Sequence, residues 1–166
     1  MNAIFRRRSI RKYRSDAIST ETLHFLLEAA MCAPSAQNQR PWHFVVITDQ
    51  AMLTTLANVS PYAKMIKDAP VVILVCGDLE RKLAPDFWVQ DCAAATENLL
   101  LEAEDRHLGA VWVGIYPRET RVEYIKNVLH LPENIVPFAL IPIGYPAEEK
   151  APLQRYDESR VHYNQW

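Results

Sequence analysis

Val71-Val72-Ile73-Leu74-Val75-Cys76 follows Pro70 and is apolar from end to end. A run of that length, bounded by a proline, reads as a strand. It has no polar alternate to give to water, so burial on both faces of a sheet is expected. The segments on either side read as helices and further strands. Upstream, Ser19 is placed to cap a helix, with Ile18 and Leu23 at the positions of a hydrophobic staple. Leu23, Leu26, Leu27 and Ala30 then recur at helical spacing and face a core, and Pro34 stops the helix. His43–Thr48 reads as a strand between Pro41 and Asp49. Asp49 caps a short helix carrying Leu53, Leu56 and Ala57, and a loop with Pro61 and Tyr62 follows.

Downstream, a long helix is expected from about Phe87 to His107, with Cys92, Thr96, Leu99, Leu100 and Ala103 on one broad face. Gly109 is expected to end it as a C-terminal glycine. Ala110–Ile115 reads as a third strand. Arg121–Leu129 reads as a helix with Val122, Ile125, Val128 and Leu129 inward, and Val136–Gly144 as a fourth strand. Helices and strands alternate without a glycine-rich turn between strand and helix. An α+β sandwich fits this order better than a dinucleotide-binding Rossmann domain.

The chain has 166 residues, 49% of them hydrophobic and 23% charged, which suits one folded domain over residues 1–166. No run approaches the length of a membrane span. A pI near 6.2 argues against a dedicated nucleic-acid binder. Cys32, Cys76 and Cys92 have neither disulfide nor zinc-site spacing; they read as reduced core or near-core thiols of a cytoplasmic protein. No metal site is expected. His43, His107, His130 and His162 lack partnered motifs and read as structural.

Positive charge is nevertheless concentrated. Arg6-Arg7-Arg8-Ser9-Ile10-Arg11-Lys12-Tyr13-Arg14 holds six of the 18 Lys and Arg residues of a chain whose net charge is −2. Arg7, Ser9 and Arg11 alternate, so an extended backbone projects them to one side. Two guanidiniums and a hydroxyl on one side match a monophosphate. A solvated basic tail, a kinase site at Ser9 and a nucleic-acid arm remain open alternatives. With only four glycines and no GxGxxG or GxxxxGK[ST], the chain has no usual backbone cradle for phosphates, so side chains must donate.

Three further segments carry potential chemistry. Ala33-Pro34-Ser35-Ala36-Gln37-Asn38-Gln39-Arg40-Pro41-Trp42 is dense in amides and hydroxyls between a helix and a strand; such groups can read a heteroaromatic edge. Leu108-Gly109-Ala110-Val111-Trp112-Val113-Gly114-Ile115-Tyr116-Pro117 puts Gly114 at an apolar strand end, which reads either as a plain buried strand or as close approach by a ligand or another backbone. The last twenty residues, rich in Tyr and Trp, are expected to lie across a partner surface; within them Arg155 reads either as a solvated arginine or as a second anion contact.

Taken in order, the arm, the Pro-Ser-x-x-Asn-x-x-Pro-Trp stretch, the Leu-Gly-x-x-Trp-x-Gly-x-x-Pro run and the ending from Arg155-Tyr156-Asp157 to Trp166 resemble the FMN-dependent nitroreductase family over nearly the whole chain. The resemblance implies a three-layer α+β sandwich with a central, mostly antiparallel sheet. It implies a homodimer that exchanges arm and tail, with FMN at the interface. Arg7, Arg8, Ser9 and Arg11 would come from one subunit: Arg7, Ser9 and Arg155 on the phosphate and ribityl end, Arg11 near the pyrimidine edge. Pro34, Ser35, Ala36 and Asn38 would come from the other. Trp112, Val113 and Gly114 would pack near the ring.

The implied activity is ping-pong transfer from NADH or NADPH to nitroaromatics, quinones or similar electron-poor small molecules, with no catalytic side chain required. Reductive dehalogenation, flavin cleavage and non-enzymatic FMN binding are the alternatives on the same fold. Arg40 departs from the Gln that the family often has before Pro-Trp, and the inserted segments of longer members are lacking.

Overall fold

The computed structural model describes residues 2–81 and 83–166. Five strands make one antiparallel sheet: β1 (Trp42–Ile47), β2 (Val71–Asp78), β3 (Gly109–Ala110), β4 (Val113–Gly114) and β5 (Ile135–Gly144). The order is β1-β2-β5-β3, with β4 also pairing on β5. The all-apolar run at 71–76 is thus an inner strand. Ile73 pairs with Val46 on one side and with Ile141 on the other.

Alternation along β2 divides the interior into two cores. Val71, Ile73 and Val75 join Leu26 and Ala30 of α2 (Thr20–Met31) and Cys92, Ala95 and Leu99 of α4 (Trp88–Asp105). Val72, Leu74 and Cys76 join Leu53 and Leu56 of α3 (Gln50–Leu56) and Ile125 of α5 (Glu119–Leu129). The molecule is therefore the expected three-layer α+β sandwich. Each buried Leu or Ile contributes about 1.5–3 kcal/mol, so most of the favourable free energy sits at these two sheet faces. Helix starts follow the capping chemistry: Ser19 Oγ accepts the Thr22 N–H at 3.1 Å, and an Asp49 carboxylate oxygen accepts the Met52 N–H at 2.7 Å. Ile18 and Leu23 both pack on the first core.

The structure corrects four expectations. Ala110–Ile115 is not one strand but two short ones. Ala110 faces Ile143 and Val113 faces Leu140, so the register carries through, and Pro142 falls opposite the gap. The Pro142 carbonyl accepts the Val111 N–H at 3.4 Å, but proline has no N–H to return, and the ladder lapses there. Second, α4 does not end on Gly109. Its left-handed residue is His107 (φ 59°), and the Leu108 N–H closes onto the Ala103 carbonyl at 2.8 Å. Gly109 is needed for packing instead: a Cβ there would come within 2.6 Å of the Ile10 side chain. Third, the loop at Pro61 is a 3-10 turn, Pro61–Asp68, opened by Ser60 accepting the Tyr62 N–H at 3.1 Å. Fourth, Cys76 and Cys92 are buried, but Cys32 is exposed at the end of α2. Burial pushes the Cys76 thiol up to about 12 and raises Cys92 still further.

The arm begins with a short helix, α1 (Ala3–Arg6), and then runs along the sheet edge. Ser9 bridges Ala110, and the Ile10 N–H reaches the Ala110 carbonyl at 3.0 Å. The tail, 151–166, buries no residue in the single chain.

Candidate functional site

Two grooves take up most of the expected residues. The first, about 520 Å³, is lined by Arg11, Ser60, Tyr62, Lys64, Trp112, Val113, Gly114 and Arg121, among others. Arg11 arrives on the arm, Trp112–Gly114 on the sheet edge, Lys64 on the 3-10 turn and Arg121 on the first turn of α5. Arg121 is held by its Nη1 donating to the Gly114 carbonyl at 2.7 Å. Lys64 Nζ donates to Asn58 Oδ1 at 3.1 Å. Among the described residues, no carboxylate lies within ion-pairing distance of the side-chain charges of Arg11, Lys64 or Arg121. Three cations thus face one cleft with no protein anion among them.

Gly114 differs from the other glycines. A Cβ at Gly77 would strike Trp88, at Gly109 Ile10, and at Gly144 Pro70 and Tyr13, whereas at Gly114 it would meet nothing within 4 Å. The missing side chain there leaves open space instead of serving the chain's own packing. Trp112 stands beside it in edge contact with Phe138, ring centroids 5.5 Å apart. An aromatic wall, an open strand end and three unneutralised cations suit a flat, electron-accepting ring with polar edges.

The second groove, about 780 Å³, is lined by Ile4, Phe5, Arg7, Arg8, Arg155, Tyr156 and neighbouring tail residues. Arg7 is not a free cation: its Nε sits 3.2 Å from a Glu97 carboxylate oxygen on α4, which fixes the guanidinium. Arg8 donates to the Ala151 carbonyl. The Ser9 carbonyl accepts Lys150 Nζ at 2.6 Å, which ties the arm to the start of the tail. The structure therefore separates Arg11 and Trp112–Gly114 from Arg7, Arg8 and Arg155, with Ser9 on the stretch of arm between them.

Pro34, Ser35, Ala36 and Asn38 line neither groove. They lie in the loop after α2, whose 3-10 turn is Ala36–Asn38, and Gln37, Asn38 and Arg40 in that loop have positive φ, at 50°, 55° and 45°. Left-handed backbone costs a non-glycine residue about 1–2 kcal/mol, so the turn needs external support. Ser35 Oγ gives some by accepting the Arg40 N–H at 3.0 Å.

Sequence reasoning misses Lys64, Arg121 and Tyr62 as site residues. Lys64 and Tyr62 lie in a segment that reads as loop. Arg121 reads only as a helix start, and its tie to the Gly114 carbonyl spans two elements.

The sequence model of the Nitroreductase family matches residues 4–64 and 52–145. A candidate NADH dehydrogenase/NAD(P)H nitroreductase of Methanothermobacter thermautotrophicus is 48% identical, over 100% of this chain and 87% of its own length. The solved structure of a candidate NADH oxidase from Clostridium acetobutylicum superposes with a TM-score of 0.97 at 43% identity, covering 99% of this chain and 100% of that one. An FMN-dependent nitroreductase from Clostridium difficile gives 0.93 at 30% identity, covering 99% of each chain. The chain belongs to the nitroreductase family.

Proposed function

We propose that this protein is an FMN oxidoreductase that takes hydride from NADH or NADPH and reduces electron-poor small molecules such as nitroaromatics or quinones. Bound FMN would supply the redox chemistry by accepting the hydride and passing reducing equivalents on. The observation that carries the reading is the open space at Gly114 within a cleft bearing Arg11, Lys64 and Arg121 and no carboxylate partner for them.

Trp112, Val113 and Gly114 form the surface against which the ring packs. Arg11 and Lys64 favour electron density at the ring edge nearest them, an effect strongest where water is excluded. Arg7, Ser9 and Arg155 hold the phosphate and ribityl end, with Arg8 fixing the tail's first residues beside them. Pro34, Ser35, Ala36 and Asn38, apart from both grooves in one chain, complete the site from a second copy. The tail's exposure of Leu153, Tyr156, Val161, Tyr163 and Trp166 supports the same homodimer. Nicotinamide and acceptor use the cleft in turn, a ping-pong order that needs no side-chain acid. Three free cysteines suit a reducing, cytoplasmic setting. Among the described residues, no helix is long and apolar enough to cross a membrane.

The test is an absorbance spectrum of the purified protein with added FMN, followed by anaerobic NADH and NADPH. The expected result is a flavin spectrum that bleaches with a nicotinamide and recovers with a nitroaromatic or quinone. A bound flavin that both nicotinamides leave oxidised would make the protein an FMN binder with another role. No flavin uptake would overturn the proposal.

A further inference from the structure

The turn at 34–40 is fastened by a buried polar lock whose members touch neither groove. Asp91, on the first turn of α4, is 4% exposed. Its Oδ1 accepts the Ala36 N–H at 2.9 Å and its Oδ2 accepts the Gln39 side-chain amide at 2.6 Å. Gln39, 3% exposed, then closes on the backbone of Ala84: Nε2 donates to the carbonyl at 2.8 Å, and Oε1 accepts the N–H at 2.9 Å. Both amide hydrogens and the amide oxygen of Gln39 are used, and each oxygen of Asp91 has a donor.

Among the described residues, no Lys, Arg or His pairs with Asp91, so its charge rests on these donors and on the N-terminal end of α4. A buried carboxylate without a counter-ion is a poor choice for stability alone. It is a good choice for holding one geometry, because any slip strands a charge. What it holds is a turn whose three left-handed residues would otherwise relax.

We propose that Asp91 and Gln39 are positioning residues for the cofactor site: they hold Pro34–Asn38 in the shape presented to the flavin bound with a second copy. The same two side chains tie that shape to Ala84, at the entrance to α4. The inference rests on the FMN reading above and assigns neither residue a contact with the cofactor.

Asp91→Asn sets an amide donor against either the Ala36 N–H or the Gln39 amide. In the full-length protein it is expected to weaken FMN binding about 10- to 100-fold. Gln39→Ala breaks the same lock from its other end, by removing the donor to Asp91 and both contacts to the Ala84 backbone. Combined with Asp91→Asn it is therefore expected to cost little more affinity than either change alone, a coupling that two independent losses would not show. Leu53→Ala, in the core on the other sheet face, supplies a variant of lowered stability with an intact lock. Its FMN affinity is expected to match the wild type. Should Asp91→Asn fail to fold, Gln39→Ala is expected to show the same selective loss. FMN binding by Asp91→Asn or Gln39→Ala at wild-type affinity would overturn the lock. So would an equal loss in Leu53→Ala at the same thermal midpoint. Wild-type protein that takes up no FMN would overturn the cofactor reading itself, before any variant is compared.

Discussion

The two ends of the chain are both polar, both rich in arginine or aromatic residues, and built in opposite ways. The arm is knitted into the sheet edge. Ile10 is 7% exposed, the Arg14 N–H reaches the Tyr145 carbonyl at 2.9 Å, and the Ala147 N–H returns to the Lys12 carbonyl at 2.9 Å. Tyr13 hydroxyl donates to the Ile10 carbonyl at 2.7 Å. Beyond Ala151, whose carbonyl accepts from Arg8, the described tail bonds are local: Asp157 accepts from Ser159 and Arg160, and His162 stacks on Trp166 at 4.3 Å. Both ends carry proposed phosphate contacts, but only one is positioned by its own chain. The arm belongs to the fold, whereas the tail is exposed along its length in the single chain.

Deleting residues 153–166 is the sharpest way to break this contrast. Nothing buried is lost from the single chain, so the far-ultraviolet spectrum is expected to stay native. The proposed dimer is expected to dissociate in sedimentation equilibrium. FMN affinity should fall by at least about 10- to 100-fold, since Arg155 is proposed to make one charge-assisted contact. A deletion protein that stays dimeric and binds FMN normally would show that the tail is a solvated end.

The arm should fail in the other way. Ile10→Ala removes a side chain that fills the space over Gly109, at a cost of about 2–4 kcal/mol, read as a lower denaturant midpoint with an unchanged slope. The arm leaves Gly114 uncovered. Gly114→Val is therefore expected to keep stability within about 0.5–1 kcal/mol. It should nevertheless block the groove and cut FMN affinity, as titration of the flavin absorbance would read.

Much of this contrast is legible in the residues alone, and the limit is physical. Local signals carry through: the unbroken apolar run at 71–76, the caps at Ser19 and Asp49, and the charge density of the arm. What fails depends on distant partners. Nothing in Ala110–Ile115 announces a break, because the missing donor belongs to Pro142. Gly109 looks like a helix stop until Ile10 is seen lying on it. Gly114, Trp112 and Arg11 stand out within their own segments and do share a groove. Lys64 and Arg121 need the groove to be noticed. The Asp91–Gln39 pairing joins positions 52 residues apart, which no local pattern reports.

The mildest test uses acid. Glu148 accepts the Arg11 backbone N–H at 2.6 Å and lies 3.1 Å from Lys150 Nζ. The Arg11 hydrogen bond, foremost, and Lys150 hold its carboxyl below the ordinary value of 4.5, against a smaller opposing effect of burial. A carboxyl depressed in the folded state contributes stability above its unfolded value, and that contribution disappears as pH falls through the folded one. Arg11 should therefore keep its amide protection, relative to the intrinsic exchange rate, at about pH 6 and lose part of it as the pH drops well below 4.5. Glu148→Gln should lower protection at the higher pH and flatten the acid response, because an amide accepts this bond without titrating. If Arg11 protection instead held constant down to the pH of global unfolding, the bond to Glu148 would be a surface contact, and the arm would owe its position to Ile10, the Ala110 bridge and the backbone bonds to Tyr145 and Ala147.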